Sequence, residues 1–126
     1  MASSKKILVV DDEQDMVTWI TTLLEDNGYS TMAAYNGAEA FELAKSHKPD
    51  LITLDISMEK ESGVKTLRRL QENGETSNIP VIMVTGVSPD VKQFIERNKR
   101  VQPPAAFLEK PIEKDELLKT VAGLIK

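Results

Sequence analysis

Three apolar runs end on charged residues that could do chemistry together. Ile7-Leu8-Val9-Val10 runs into Asp11-Asp12, and Leu51-Ile52-Thr53-Leu54 runs into Asp55. Ala105-Ala106-Phe107-Leu108 runs, one glutamate later, into Lys110-Pro111. Adjacent acids leaving a strand suit a hard divalent cation, since Mg²⁺ takes few protein oxygens, keeps several waters and prefers a phosphate partner. An aspartate such as Asp55 can act as a nucleophile and form an acyl phosphate. Thr85, before Gly86, offers a hydroxyl to a phosphoryl oxygen, and Lys110 offers a point countercharge. Pro111 pushes Lys110 into extended geometry and so fixes its direction. Each residue also has a plainer reading. Asp11-Asp12 could cap the helix that follows, Asp55 could be an acid at a loop entrance, Thr85 an ordinary turn residue, and Lys110 a surface lysine.

The elements that carry these residues alternate regularly. Short apolar runs over Lys6–Val10, Tyr29–Ala34, Leu51–Leu54, Val81–Val84 and Ala105–Leu108 read as buried strands. Helical stripes lie between them. The first covers Gln14–Asn27 with Met16, Ile20, Leu23 and Leu24 inward and Gly28 as its stop; the second covers Gly37–Ser46 with Ala40, Phe41 and Ala44 inward. The third follows Gly63, with Val64, Leu67 and Leu70 inward, and ends near Asn73-Gly74. A fourth starts at Ser88-Pro89-Asp90, with serine as N-cap and proline at N1. The fifth, over Glu113–Ile125, buries Leu117, Leu118, Val121 and Ile125. Five strands alternating with five helices make a doubly wound α/β domain on a parallel sheet. Ligands of such sheets bind beyond the carboxyl ends of the strands, where Asp11, Asp12, Asp55, Thr85 and Lys110 all fall.

Length and composition narrow the function. A chain of 126 residues is the size of one domain. A net charge of −4 gives no electrostatic footprint for nucleic acid. The absence of cysteine excludes disulfides and thiolate metal sites. No run approaches the ~20 apolar residues of a membrane span, and the N-terminus lacks a signal-peptide core, so a cytoplasmic protein without membrane insertion is expected.

Together these residues resemble the receiver domain of two-component response regulators, over nearly the whole chain. The resemblance implies a sheet of flavodoxin-like order 2-1-3-4-5, a single domain over residues 1–126 without an output domain, and a signalling switch rather than an enzyme. It implies that Asp55 accepts a phosphoryl group from a histidine kinase or phosphotransfer protein. Asp12 and Asp55 would ligate Mg²⁺ directly, Asp11 mainly through water, and the Ser57 backbone carbonyl would complete the protein ligands. Thr85 and Lys110 would hold phosphoryl oxygens, with a cis Lys110-Pro111 bond turning the lysine inward. Phe107 matches the switch aromatic, and Gly63 the glycine after the acceptor. Output would pass to a downstream protein, or a homodimer, through the fourth helix, fifth strand and fifth helix.

Three departures from the family pattern stand out: Glu59 after Met58, Gly86 after the threonine, and Arg100-Val101-Gln102-Pro103-Pro104 before the last strand. None removes a chemical group. Two other functions compete with the switch. A pseudo-receiver would bind partners without phosphorylation. A haloacid-dehalogenase-like phosphatase would need an Asp-x-Asp pair after the first strand, whereas this chain has Asp11-Asp12-Glu13. Nucleotide-binding glycine motifs are missing. His47 reads as a surface residue at a helix end, Trp19 as core packing, and Lys92, Arg97, Lys99 and Arg100 as a solvated face or a docking face.

Overall fold

Each apolar run becomes a strand, and the side chains of each strand divide between two helical layers. The computed structural model describes residues 5–55, 63–85 and 102–125. Its elements are β1 (Lys6–Val10), α1 (Gln14–Asp26), β2 (Ser30–Ala34), α2 (Gly37–His47), β3 (Leu51–Asp55), α3 (Gly63–Glu72), β4 (Val81–Thr85), β5 (Ala106–Glu109) and α4 (Lys114–Leu124). All four strand pairings are parallel, in the order β2-β1-β3-β4-β5. The expected order and class are therefore found. Four helices lie among the described residues rather than five, because the helix expected from Ser88 falls outside them.

The two-residue period of the strands builds two cores. Leu8, Val10, Ile52, Leu54 and Met83 pack with Ala40, Ala44, Leu67 and Leu70 of α2 and α3. Ile7, Val9, Leu51, Ile82 and Leu108 pack with Val17, Ile20, Leu24, Leu117 and Val121 of α1 and α4. β3 and β4 are buried throughout, as strands covered on both faces must be.

Helix ends follow local chemistry. The Asn36 side chain caps α2 by accepting the Glu39 N–H at 2.9 Å, and Glu39 in return accepts the Tyr35 N–H at 3.0 Å. Gly28, past the end of α1, has φ +93°, a conformation open to glycine. His47 is exposed in the last turn of α2, as expected.

Trp19 does not pack in the core: it is 42% exposed. The inward stripe of α1 is Val17, Ile20, Leu23 and Leu24. At about 100° per residue, position 19 lies roughly a third of a turn off the centre of that stripe. Met16 sits nearer its edge and is half-buried. Phe41, Val64, Leu118 and Ile125 are also half-buried, packing against the two cores from their margins.

Candidate functional site

Parallel register brings the charged strand ends to one edge. Val10 pairs with Leu54, Asp55 with Val84, and Thr85 with Glu109, so the residues just beyond β1, β3 and β5 converge. Asp55 ends the central strand and is buried, at 2% exposure; Asp11, one residue past β1, is equally buried. Asp12 turns outward and is exposed, so the two adjacent acids have opposite environments. Carboxylate oxygens of Asp11, Asp12 and Asp55 lie within 4.8 Å of one another.

Lys110 reaches into this cluster. Its Nζ is 3.4 Å from Asp11 Oδ2 and 3.4 Å from Asp55 Oδ2. Its backbone N–H donates to the Thr85 carbonyl at 2.7 Å, and the Lys110-Pro111 bond is cis, as expected. The lysine is thus held by main-chain pairing while its ammonium spans two buried carboxylates. Thr85 is buried at the end of β4, beside this junction.

The electrostatics are incompletely balanced. Burial pushes the Asp11 carboxyl above its ordinary value; the N–H of Glu13, donating to Oδ1 at 3.0 Å, opposes this. The charge of Asp55 raises it further and Lys110 lowers it, leaving the net shift upward. For Lys110 burial disfavours the ammonium, but Asp55 and Asp11 together outweigh burial and raise its affinity for a proton. Two buried carboxylates therefore share one ammonium, with the exposed Asp12 carboxylate close by. An all-oxygen, anionic donor set of this kind fits a hard cation such as Mg²⁺.

Asp11, Asp12, Asp55, Thr85 and Lys110 are brought to this edge. Ser57 and Gly86 lie outside the described residues. Phe107 is half-buried on β5 in register with Met83, packed against the core under α2 and α3. The sequence did not reveal two features. One is that Lys110, expected to face the carboxylates, sits at equal 3.4 Å distances from Asp11 and Asp55. The Glu13 N–H bond also gives Asp11 part of the capping role that its position allowed. The other is an apolar groove of about 310 Å³ beside the site, floored by Met16, Trp19, Pro111 and Ile112 and rimmed by Glu13 and Asp15. A signal for it existed: Trp19 lies off the inward stripe.

Comparison with known proteins agrees with this geometry. A family profile described as the response regulator receiver domain matches residues 7–122. The chain is 32% identical over 120 residues to the protein PilH of Pseudomonas aeruginosa, covering 95% of this chain and 97% of PilH. It is also 32% identical to the polar-differentiation response regulator DivK of Brucella anthropi, covering 96% of each. Among solved structures, the chemotaxis protein CheY4 of Vibrio cholerae superposes with a TM-score of 0.86 at 28% identity, over 96% of this chain and 98% of that one. A buried acid on the central strand, acids past the first strand and a lysine past the last are thus found within a match spanning nearly the whole sequence, and the chain belongs to the response regulator receiver domain family.

Proposed function

We propose that this protein is a phosphorylation-activated switch in which Asp55 accepts a phosphoryl group from a histidine kinase or phosphotransfer protein. An Asp55 carboxylate oxygen forms the new P–O bond as the P–N bond of a phosphohistidine breaks, and the freed imidazole nitrogen takes up a proton. One observation carries this reading: Lys110 Nζ stands 3.4 Å from both Asp55 and Asp11, a countercharge already aimed at the acceptor. Asp12 and Asp55 would hold Mg²⁺ directly, Asp11 through water, and the Ser57 carbonyl would complete the set. The cation would offset the repulsion between the acceptor and the incoming phosphoryl oxygens. Thr85 and Lys110 would bind those oxygens.

Output would follow from Thr85 moving toward the phosphoryl group and Phe107 repacking from its half-buried position. Such a shift requires contacts that differ in energy between two states. The face affected would be β5, α4 and the helix expected from Ser88, where a downstream protein or a second copy would dock. A cytoplasmic setting suits a kinase donor, and no described helix is long and apolar enough to cross a membrane.

The test is intact mass after treatment with acetyl phosphate and Mg²⁺. Wild type should gain one phosphoryl group and Asp55→Asn none. Labelling of Asp55→Asn at the wild-type level would overturn the assignment; a wild type that never labels while still binding partners would favour the pseudo-receiver. Beryllofluoride, bound at Asp55, should move NMR signals of Phe107 and α4, and silence there would remove the proposed output face.

A further inference from the structure

The chain contains three Asn-Gly dipeptides, Asn27-Gly28, Asn36-Gly37 and Asn73-Gly74, and the structure gives them different chemistry. In such a pair the glycine nitrogen attacks the asparagine side-chain carbon. An N–Cγ bond forms, the Cγ–Nδ2 bond breaks, and ammonia leaves with the proton given up by the nitrogen. Water then opens the cyclic imide to aspartate or to isoaspartate, in which the backbone runs through the side chain. The reaction needs a free nucleophilic nitrogen, a polarised amide carbonyl and room for the ring.

Asn27 and Asn36 are poorly placed for this. The Gly28 N–H donates to the Glu25 carbonyl at 3.1 Å, and Asn27 Nδ2 donates to the Leu23 carbonyl at 2.8 Å, so both nucleophile and leaving group are engaged. Asn36 Oδ1 does accept an N–H, from Glu39 at 2.9 Å, but Gly37 is buried as the first residue of α2, whose eleven residues would have to yield locally before a ring could form.

Asn73 is different. Gly74 is exposed just past α3, with nothing within 4 Å of where a Cβ would sit. Among the described residues no carbonyl accepts its N–H. The Glu75 N–H donates to Asn73 Oδ1 at 2.8 Å, where negative charge develops when the carbonyl is attacked. A donor fixed at that oxygen stabilises the tetrahedral intermediate as an oxyanion hole does.

We propose that Asn73 is a structure-directed site of spontaneous deamidation and isoaspartate formation. The consequence is local. The Asn73 carbonyl accepts from the Thr76 and Ser77 N–H groups at 3.1 and 2.9 Å, and an added backbone methylene would shift it out of that register. The new carboxylate would face the negative end of the α3 dipole. Thr76, buried and bonded to the Leu70 carbonyl at 2.6 Å, lies directly downstream.

The test ages the full chain at mildly alkaline pH and maps isoaspartate by peptide mass spectrometry, in buffer and in urea. In buffer, conversion at Asn73 should exceed that at Asn27 and Asn36 several-fold; in urea the three rates should converge. Gly74→Ala, which has space for its methyl group, should suppress the product at residue 73 while leaving the melting temperature near wild type. Equal rates in buffer, or a several-fold preference for Asn73 that persists in urea, would overturn the proposal.

Discussion

The two ends of the same sheet solve their polar chemistry in opposite ways. At the amino end the groups pair closely and mostly without charge. Gln71 Nε2 donates to the Gln102 carbonyl and Gln71 Oε1 accepts the Gln102 N–H, both at 2.8 Å, and Thr76 donates to the Leu70 carbonyl at 2.6 Å. At the carboxyl end two buried carboxylates share one ammonium at 3.4 Å each, and Asp11 holds its proton more tightly than a free carboxyl would. Close neutral pairing is what a fold needs for stability. Long contacts among buried like charges cost stability, and they leave coordination capacity for a cation and a phosphoryl group. The difference separates the end that is built for stability from the end proposed to do chemistry.

The largest effect should come from removing the shared cation. Lys110→Ala leaves Asp11 and Asp55 facing each other without their shared ammonium. Breaking a buried pair costs 3–5 kcal/mol in general, and with the lysine one-fifth exposed we expect about 3 kcal/mol. Urea unfolding would measure it. Mg²⁺ should then stabilise this variant more than wild type, since binding to the folded state alone raises stability. An equal response would show that the cation does not answer the charge that Lys110 answers.

At the amino end Thr76→Val keeps the shape and removes the donor. The Leu70 carbonyl loses the Thr76 hydroxyl, so a loss of about 2 kcal/mol is expected. Labelling by acetyl phosphate should remain at the wild-type level. A variant that lost labelling while still folded would break the division between the two ends.

How much of this was legible beforehand follows the same division. The carboxyl-end residues were readable because each interrupts an apolar run, and a charge at the end of a buried strand needs a reason. The inward stripes were readable from spacing, although Trp19 was misplaced: hydrophobicity alone does not fix the angle at which a helix sits. What remained hidden depends on spatial order. Asp11 and Asp12 are alike in sequence, and only the turn into α1 decides that the first is buried and the second exposed. The reciprocal pairing of Gln71 with Gln102 joins residues 31 apart, with no local pattern to announce it.

A smaller effect should appear as a pH slope. Because Asp11 binds its proton more tightly when folded, the folded state holds more protons than the unfolded state between the ordinary value of 3.8 and the raised one. Stability contributed by this group therefore falls as pH rises through that window. Asp11→Asn should flatten the slope and raise the urea midpoint at neutral pH without Mg²⁺. Lys110 has the same sign in a higher window: its contribution is complete below 10.5 and is lost as pH climbs through its raised folded value. If wild type and Asp11→Asn showed parallel pH profiles across the acidic range, the charge imbalance at this end would not exist in solution.

The smallest effect should come from Gln71, and its sign under titration makes it informative. Its two bonds to Gln102 are solvent-exposed, so Gln71→Ala should cost about 1 kcal/mol or less. Gln71→Glu keeps an acceptor for the Gln102 N–H but sets a second carboxylate oxygen against the Gln102 carbonyl, which can only accept. At neutral pH the glutamate should therefore be no more stable than the alanine. Below its own pKa the protonated carboxyl regains a donor, and the glutamate should recover toward wild type while the alanine does not. Hydrogen exchange of the Gln102 and Ala105 amides would localise the change to the entry of β5. Recovery without any protection at Gln102 would mean that the pair is not the clamp that its 2.8 Å contacts describe. Phosphoryl labelling should be unaffected throughout, because the perturbation lies at the end of the sheet opposite Asp55.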